Sequence, residues 1–600
     1  MSDAPANAVF KNLPDLLAQS VARFPDRPRF GTRVGKNEWK WMTYGEWGKA
    51  VDDFRAGLAS LGVGKGGVVA VIANNSAEWA IGAYATYSLG AFYVPMYEKQ
   101  NPEDWRFILE DSGAEVLLVA GKHIAKKAGP VVEEIDALKH MVNFRGHADD
   151  ATSFTSLCAH GAANPVPAAD PSPEDLCGLI YTSGTTGNPK GVQLSHGNIV
   201  SNVNAMQTLL PMSEDRSLSF LPWAHSFGQT LELHVLTSFG CSSAIVDDVN
   251  NLIPYMSEVH PTLLFSVPRI FNKVYDKLNK RAASAPPIRR ALMNAAFANA
   301  AKRRALAAKG ETSGWVETKH GMFDKLVFSK VRDLLGGKLR YAFSGGAAIS
   351  REVAEFIDNV GITVYEGYGL SETSPVATAN YPDNQRIGSV GKAIPGVEII
   401  IDVDAVGGEM GDQGEIIIKG PNIMKGYHGL PEKTAEVVRE DGAFRSGDLG
   451  RLDADGYLYI TGRIKEQYKL ENGKYVVPAP LEEQLKLSGH INQAMVFGAN
   501  KLFNVAVIVP DAEAATEWAA SNGVSPDLSS LIKNDAFKAL MAAEIARVSA
   551  NGFKGFERIK HFRLIADEFT TDNDMMTPTL KLKRRNVIKA YQGLLDEMYA

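Results

Sequence analysis

Tyr181-Thr-Ser-Gly-Thr-Thr-Gly-Asn-Pro-Lys-Gly191 decides the reading of this chain. Thr182, Ser183, Thr185 and Thr186 bring four hydroxyls, Gly184, Gly187 and Gly191 let the backbone close on a ligand, and Lys190 adds a cation. Leu179 and Ile180 read as the end of a buried strand, so the loop starts at a strand's carboxyl end. Amide donors in a small concave nest, hydroxyls and one positive charge are what a polyphosphate needs. The order is not that of a P-loop, in which Gly-Lys-Ser/Thr ends the loop and opens a helix. Here Lys190 is followed by Gly191 and Val192-Gln-Leu194. A solvated Ser/Thr/Gly turn has a similar composition, but further motifs downstream weigh against it.

Working outward, Glu366-Gly-Tyr-Gly-Leu-Ser-Glu-Thr373 offers a tight turn at Gly367 and Gly369, a flat face at Tyr368 for stacking on a purine, and a carboxylate at Glu372. A carboxylate beside phosphates makes sense with a cation between them, so Mg²⁺ held by Glu372 and the phosphates, with Thr185 close by, is expected. Ser344-Gly-Gly-Ala-Ala348 follows a strand-like Leu339 to Phe343; small residues there permit close approach of a planar base, and a plain β-turn has the same composition. In Ser446-Gly-Asp-Leu-Gly450, Asp448 sits in a Gly-flanked turn that suits two ribose hydroxyls, although Asp also caps turns locally. The basic stretch Thr577-Pro-Thr-Leu-Lys-Leu-Lys-Arg-Arg585 closes the series.

Taken together, these motifs resemble the AMP-forming acyl-CoA synthetases, the adenylate-forming superfamily, over roughly residues 43–585. The resemblance implies an ATP site formed by Thr182, Ser183, Gly184, Thr185, Thr186, Gly187 and Lys190. It adds Gly345, Gly346 and Ala347 at adenine, Glu366, Gly367, Tyr368, Gly369 and Ser371 in the second motif, Asp448 at ribose, and Arg463 at ribose or phosphate. Ser371 stands where the family more often has Thr. Glu372 and Thr185 would serve Mg²⁺. The family's catalytic lysine, which bridges substrate carboxylate and α-phosphate, fits Lys581 best, with Lys583 as the alternative. Lys465 takes the place of the hinge residue, and Gly473 that of the glycine in the loop serving the CoA step; the residues around Gly473 depart from the commoner family form. Leu221-Pro-Trp-Ala-His-Ser-Phe227 resembles the acyl-pocket segment, with His225 near the carboxylate and Trp223 or Phe227 on the wall; a core histidine between aromatics is the competing reading.

The implied reaction has two steps: a carboxylate attacks the α-phosphorus of ATP to give an acyl-AMP and pyrophosphate, then CoA takes the acyl group and AMP leaves. Ser266-Val-Pro-Arg-Ile-Phe271, the insertion after it and residues 462–478 look like the long-chain fatty acid branch. Medium-chain or aromatic acids remain open, as does an acyl-AMP ligase that loads a carrier protein. A non-catalytic relative is disfavoured by the joint presence of Glu372, Asp448 and Lys581.

Apolar strand-like runs alternate with helical ones in the first part: 68–72, then 77–89, then 91–95, with further runs at 116–119 and 262–266. Such alternation predicts an α/β fold of parallel sheets with helices on both faces. Trp79 to Tyr97 is a run of 19 uncharged residues, read as a core helix stopped at Gly90 and followed by a buried strand rather than as a membrane span. From 388 short strands at 397–403, 414–419 and 456–461 predict a β-rich subdomain to 463. After a hinge at 464–466, residues 466–600 carry their own strands (494–497, 505–509) and helices (480–487, 536–549), enough for a small mobile α+β domain. Residues 1–463 would form the large N-terminal domain, with a basic helical insertion at about 277–335.

Length excludes a single core. A formal net charge of −6 disfavours nucleic acid as partner. Cys158, Cys177 and Cys241 lack metal-ligand spacing and suggest a reducing compartment. Charges in residues 1–24 speak against a signal peptide, so a cytoplasmic location is expected. Between 277 and 310 nine Lys/Arg occur with no Asp or Glu. This stretch is a solvated helical hairpin, a peripheral contact with an anionic membrane, or a site for CoA phosphates.

Overall fold

Residues 8–147, 150–182, 188–283, 285–406, 411–550, 553–577 and 581–600 are described by a computed structural model. The fully buried run Val68–Ile72 is a central strand, as expected where helices cover both faces of a parallel sheet. Phe92–Met96 and Val116–Val119 pair with it in parallel, and His140–Asn143 and Leu176–Thr182 extend the sheet outward. The strand Leu176–Thr182 ends where the expected phosphate-binding stretch begins. Lys190–Ser195 then returns antiparallel, Thr182 opposite Lys190, and Gly426–Tyr427 adds a seventh strand. The uncharged run from Trp79 resolves as expected. Ser76 caps the Ala77–Tyr87 helix by accepting from the Trp79 N–H, and every residue of that helix but Glu78 is buried. Among the described residues no helix is long and apolar enough to cross a membrane.

A second, nine-stranded sheet holds six parallel strands, Pro28–Gly35, Ser242–Ile245, Arg216–Ser219, Leu263–Ser266, Tyr341–Ser344 and Thr363–Gly369, flanked by antiparallel edges. The large sheets are therefore mixed rather than purely parallel. An aromatic core welds them together: Trp223 meets Phe30 of the nine-stranded sheet at 5.8 Å and Trp79 at 5.5 Å, and Trp79 meets Tyr93 of the seven-stranded sheet at 5.0 Å. Gly228–Val235 is a wide π turn. Its loosened carbonyls find a partner in the fully buried Arg29, whose Nη2 donates to Glu232 O at 3.2 Å and Leu233 O at 2.9 Å.

Strands Glu398–Asp402, Gly414–Lys419, Phe444–Leu452 and Leu458–Arg463 form a four-stranded antiparallel sheet. Two short strands of the same stretch belong elsewhere, since Lys392–Ala393 edges the nine-stranded sheet and Gly426–Tyr427 the seven-stranded one. Beyond the turn Ile464–Glu466 come the small hairpin Tyr468–Lys469/Tyr475–Val476 and a three-stranded sheet of Ile491–Phe497, Asn504–Pro510 and Ile559–Leu564. Helices Pro478–Leu485 and Asp535–Ser549 pack on it around Leu485, Ile508 and Met541.

Gly367 and Gly369 lie inside the Thr363–Gly369 strand, not in a tight turn. Their role is close approach: a Cβ on Gly369 would stand 1.7 Å from Pro375 O. Gly369→Ala is expected to destabilise by about 3 kcal/mol or more. Gly64→Ala, where a Cβ meets nothing within 4 Å, should fall within about 1 kcal/mol. Thermal unfolding of both variants checks the contrast.

Candidate active site

A cleft of about 2350 Å³ runs between the sheets and the C-terminal residues. Its floor comes from the carboxyl ends of parallel strands. Thr182 and Lys190 line it from the first hairpin, and Gly345, Gly346 and Ala347 from the end of Tyr341–Ser344. Glu366, Gly367, Tyr368 and Gly369 line it from the last parallel strand, with Ser371 and Glu372 following in a 3₁₀ turn. Ser183, Gly184, Thr185, Thr186 and Gly187 lie outside the described residues.

Electrostatics concentrate on Asp448. It is buried in the Phe444–Leu452 strand opposite Arg463, not in a free turn. Arg463 Nε pairs with its Oδ1 at 2.7 Å, and the Tyr368 hydroxyl donates to its Oδ2 at 2.7 Å. The carboxylate beside Arg463 raises the guanidinium's pKa against burial. Burial and then the Asp448 charge push the Tyr368 phenol far up. Glu372 is held by Tyr427, whose hydroxyl donates to Oε1 at 2.8 Å, and Lys190 Nζ stands 4.0 Å from the centre of the Tyr427 ring. Ser371 Oγ lies 3.0 Å from Ser226 Oγ.

Segment 221–227 approaches from another side. Asn75 braces it, donating to Leu221 O at 2.8 Å and accepting from the Trp223 N–H at 2.8 Å. His225 and Phe227 line the cleft. Trp223 does not: its ring is fully buried in the aromatic core between the two large sheets, where the rings of Phe30 and Trp79 hold it. The Phe227 N–H donates to His225 Nδ1 at 3.2 Å, which leaves the ring proton on Nε2. Burial, and secondly the Lys581 charge, pull this histidine down to about 4, so it is a neutral donor at pH 7.

Lys581 is accessible in the cleft, among Arg463, Asp448 and Glu372. Desolvation and Arg463 lower its pKa; the two carboxylates oppose them. Lys583 also reaches the cleft but pairs its ammonium with Asp574. Arg584 anchors this segment: it forks onto both oxygens of the buried Glu482 at 2.7 Å each and donates to Val496 O at 2.9 Å. Lys465 lines the cleft from the Ile464–Glu466 turn. Gly473, with φ +80°, lies in the small hairpin outside the cleft.

The family model of the AMP-binding enzymes matches residues 17–428, and that of their C-terminal domain matches residues 465–600. The chain belongs to the AMP-binding enzyme family. Among curated relatives of this AMP-binding enzyme, the long-chain-fatty-acid–CoA ligase FadD15 of Mycobacterium tuberculosis is 34% identical over 94% of this chain and 92% of its own. Mouse long-chain-fatty-acid–CoA ligase 5 is 31% identical over 98% and 88%. The adenylation domain of a Mycobacterium chelonae carboxylate reductase superposes with a TM-score of 0.79 at 22% identity, covering 100% of this chain and 92% of that one. MatB from Rhodopseudomonas palustris bound to ATP gives 0.70 at 22%, covering 97% and 99%. These solved structures share the fold.

Tyr427, Asn75 and the Glu482–Arg584 fork carry no sequence signal of their own. Each is an ordinary residue given its place by tertiary contact. Buried Glu366 is different, because it sits in a motif. Burial pushes its carboxyl up to about 7 against backbone donors from Ile349 and Gly388. A raised carboxyl pKa contributes stability below the unfolded value near 4.5 and loses it as pH rises through about 7. Against Glu366→Gln, the wild-type Tm should therefore fall between pH 4.5 and 7 and the gap then level off. A paired pH series of melting curves measures it.

Proposed function

We propose that this chain is a long-chain fatty acid–CoA ligase: ATP and a fatty acid give acyl-AMP and pyrophosphate, and CoA then takes the acyl group and releases AMP. The observation that carries the reading is the meeting of Lys581, from the C-terminal part, with Glu372, Asp448 and Arg463 in one cleft. The near-full-length similarity to long-chain ligases supports the acyl class. Apolar lining residues such as Met206, Leu210, Phe220, Leu231 and Phe265 suit an alkyl chain.

Two anions must meet in the first step, so electrostatic positioning carries it. His225 Nε2–H donates to the substrate carboxylate, and the Lys581 ammonium bridges that carboxylate and the α-phosphate. A carboxylate oxygen bonds to the α-phosphorus as its bond to the pyrophosphate oxygen breaks. Tyr368 packs on adenine beside Gly345, Gly346 and Ala347, while Asp448 and Arg463 orient the ribose. Thr182, Lys190 and the hydroxyl loop Ser183 to Gly187 cradle the outer phosphates.

The donor set fits a magnesium ion. Glu372 is a single carboxylate at the cleft, and no group of three or more His, Cys, Asp or Glu that could cage a metal occurs among the described residues. One carboxylate plus phosphates and water is how Mg²⁺ is commonly held. Glu372 and Thr185 would hold it, and it would neutralise phosphate charge.

For the second step, residues 1–463, including the β-rich part from about 388, and residues 466–600 are read as two bodies hinged at 464–466. Rotation at Lys465 withdraws Lys581 and brings Gly473 to the pantetheine thiol. The sulfur bonds to the acyl carbon and the carbon–oxygen bond to AMP breaks. The basic insertion at about 277–335 is read as the side that meets an anionic membrane, where long-chain acids partition, with the protein otherwise cytoplasmic.

AMP release measured over a fatty acid series, with and without CoA, should be CoA-dependent and maximal at long chains. Acyl-AMP that accumulates and ignores CoA would overturn the reading in favour of a carrier-loading enzyme. Lys581→Ala should slow acyl-AMP formation by about 100-fold or more. Lys583→Ala should change it only a few-fold, and pyrophosphate release reads both.

A further inference from the structure

Eleven large apolar side chains are exposed among the described residues, and five of them fall between residues 288 and 334. Four, Trp315, Met322, Leu326 and Leu334, lie on one continuous helical run made of Gly314–Phe323, the π turn Asp324–Phe328, and Ser329–Leu334. Val316, Phe323, Val327, Phe328 and Val331 bury the inner side of the run. Trp315, Met322 and Leu326 stand at spacings of seven and four, which align them along the outer side.

Lysines interleave with them. Lys319 Nζ lies 4.7 Å from the centre of the Trp315 ring, and Lys325 and Lys330 are exposed with no carboxylate partner among the described residues. Two of the three acidic groups of the run are taken up by arginines, Glu317 by Arg303 and Asp324 by Arg332, leaving Asp333 at the far end. Residues 287–334 hold ten Lys/Arg against four Asp/Glu, in a chain of net charge −6. On the neighbouring helix Pro287–Ala307, Ile288 is exposed beside Arg289 and Arg290.

We propose that the outer face of residues 314–334 lies on an anionic phospholipid bilayer, with Trp315, Met322 and Leu326 among the acyl chains and Lys319, Lys325 and Lys330 at the headgroups. A helix in the membrane plane needs apolar tips on one side and ammonium groups on long stems at its flanks, and this face has both. Protein interfaces are depleted of lysine at their cores, whereas here a lysine follows each apolar tip. The inference rests on the reading of the insertion as the membrane side, and assigns the contact to this run rather than to the Arg-rich helix before it.

Flotation of the full-length protein with phosphatidylglycerol/phosphatidylcholine vesicles tests it, with pure phosphatidylcholine as the neutral arm. Wild type should float with the anionic vesicles and more weakly with the neutral ones. Lys319→Gln/Lys325→Gln/Lys330→Gln should lower partitioning about 100-fold. Trp315→Ser/Met322→Ser/Leu326→Ser should lower it at least about tenfold. Both variants should keep wild-type turnover of a short, water-soluble fatty acid, which shows that they fold. Failure of wild type to float overturns the membrane reading altogether. Flotation lost in Arg289→Gln/Arg290→Gln but kept in the stripe variants overturns this assignment alone. A dimer in sedimentation that the stripe variants abolish, without flotation, identifies a second copy of the chain as the occupant and overturns the lipid.

Discussion

The Asp448 carboxylate is the junction on which the site depends. It accepts from Tyr368, on the last parallel strand of the nine-stranded sheet, and from Arg463, on the neighbouring strand of the four-stranded sheet. A buried anion without these donors would be costly, so the two sheets are held in the one relation that satisfies it. The same geometry sets the tyrosine ring at the cleft and the strand end Leu458–Arg463 just before the Ile464–Glu466 turn. Position of this wall of the cleft and departure of the chain toward its C-terminal part follow from a single satisfied charge.

Around that junction the cleft separates duties by environment. Lys190 and Lys581 are lysines with lowered pKa, each drawn down by desolvation and each opposed by Glu372. His225 is kept neutral by burial, while Arg463 is kept charged by Asp448. Fixed cations and neutral donors then coexist within one cleft at neutral pH, as a reaction between two anions demands.

Much of this was legible in the chain itself, for identifiable reasons. Val68–Ile72, Val116–Val119 and Gly414–Lys419 match their expected bounds because continuous apolar runs ended by polar or glycine residues leave little choice. The residues after Lys190 open no helix, in keeping with an order that is not that of a P-loop, and instead form the Lys190–Ser195 strand. The residues that sequence misplaced are those whose role is set by distant contacts. Trp223 looked like a pocket wall because it neighbours His225, yet helical and sheet aromatics claim its ring. Gly367, Gly369 and Asp448 carry turn-forming identities inside strands, where Pro375, Tyr368 and Arg463 decide their use. The mixed edges of both large sheets were hidden because antiparallel returns such as Lys190–Ser195 have the same apolar content as parallel strands.

Arg584 stands three positions after Lys581 and grips Glu482 with both arms of its guanidinium. That fork, with the bond to Val496 O, ties the amine's segment to the helix Pro478–Leu485 and the sheet behind it rather than leaving a free side chain on a tail. If the C-terminal part swings, the amine has to leave with it, in step and without slack. In the proposed reaction, the ammonium's contact with the reacting carboxylate and the large-scale opening of the molecule would then be geared to one shaft, and the order of the two half-reactions would be a property of mechanics as much as of affinity.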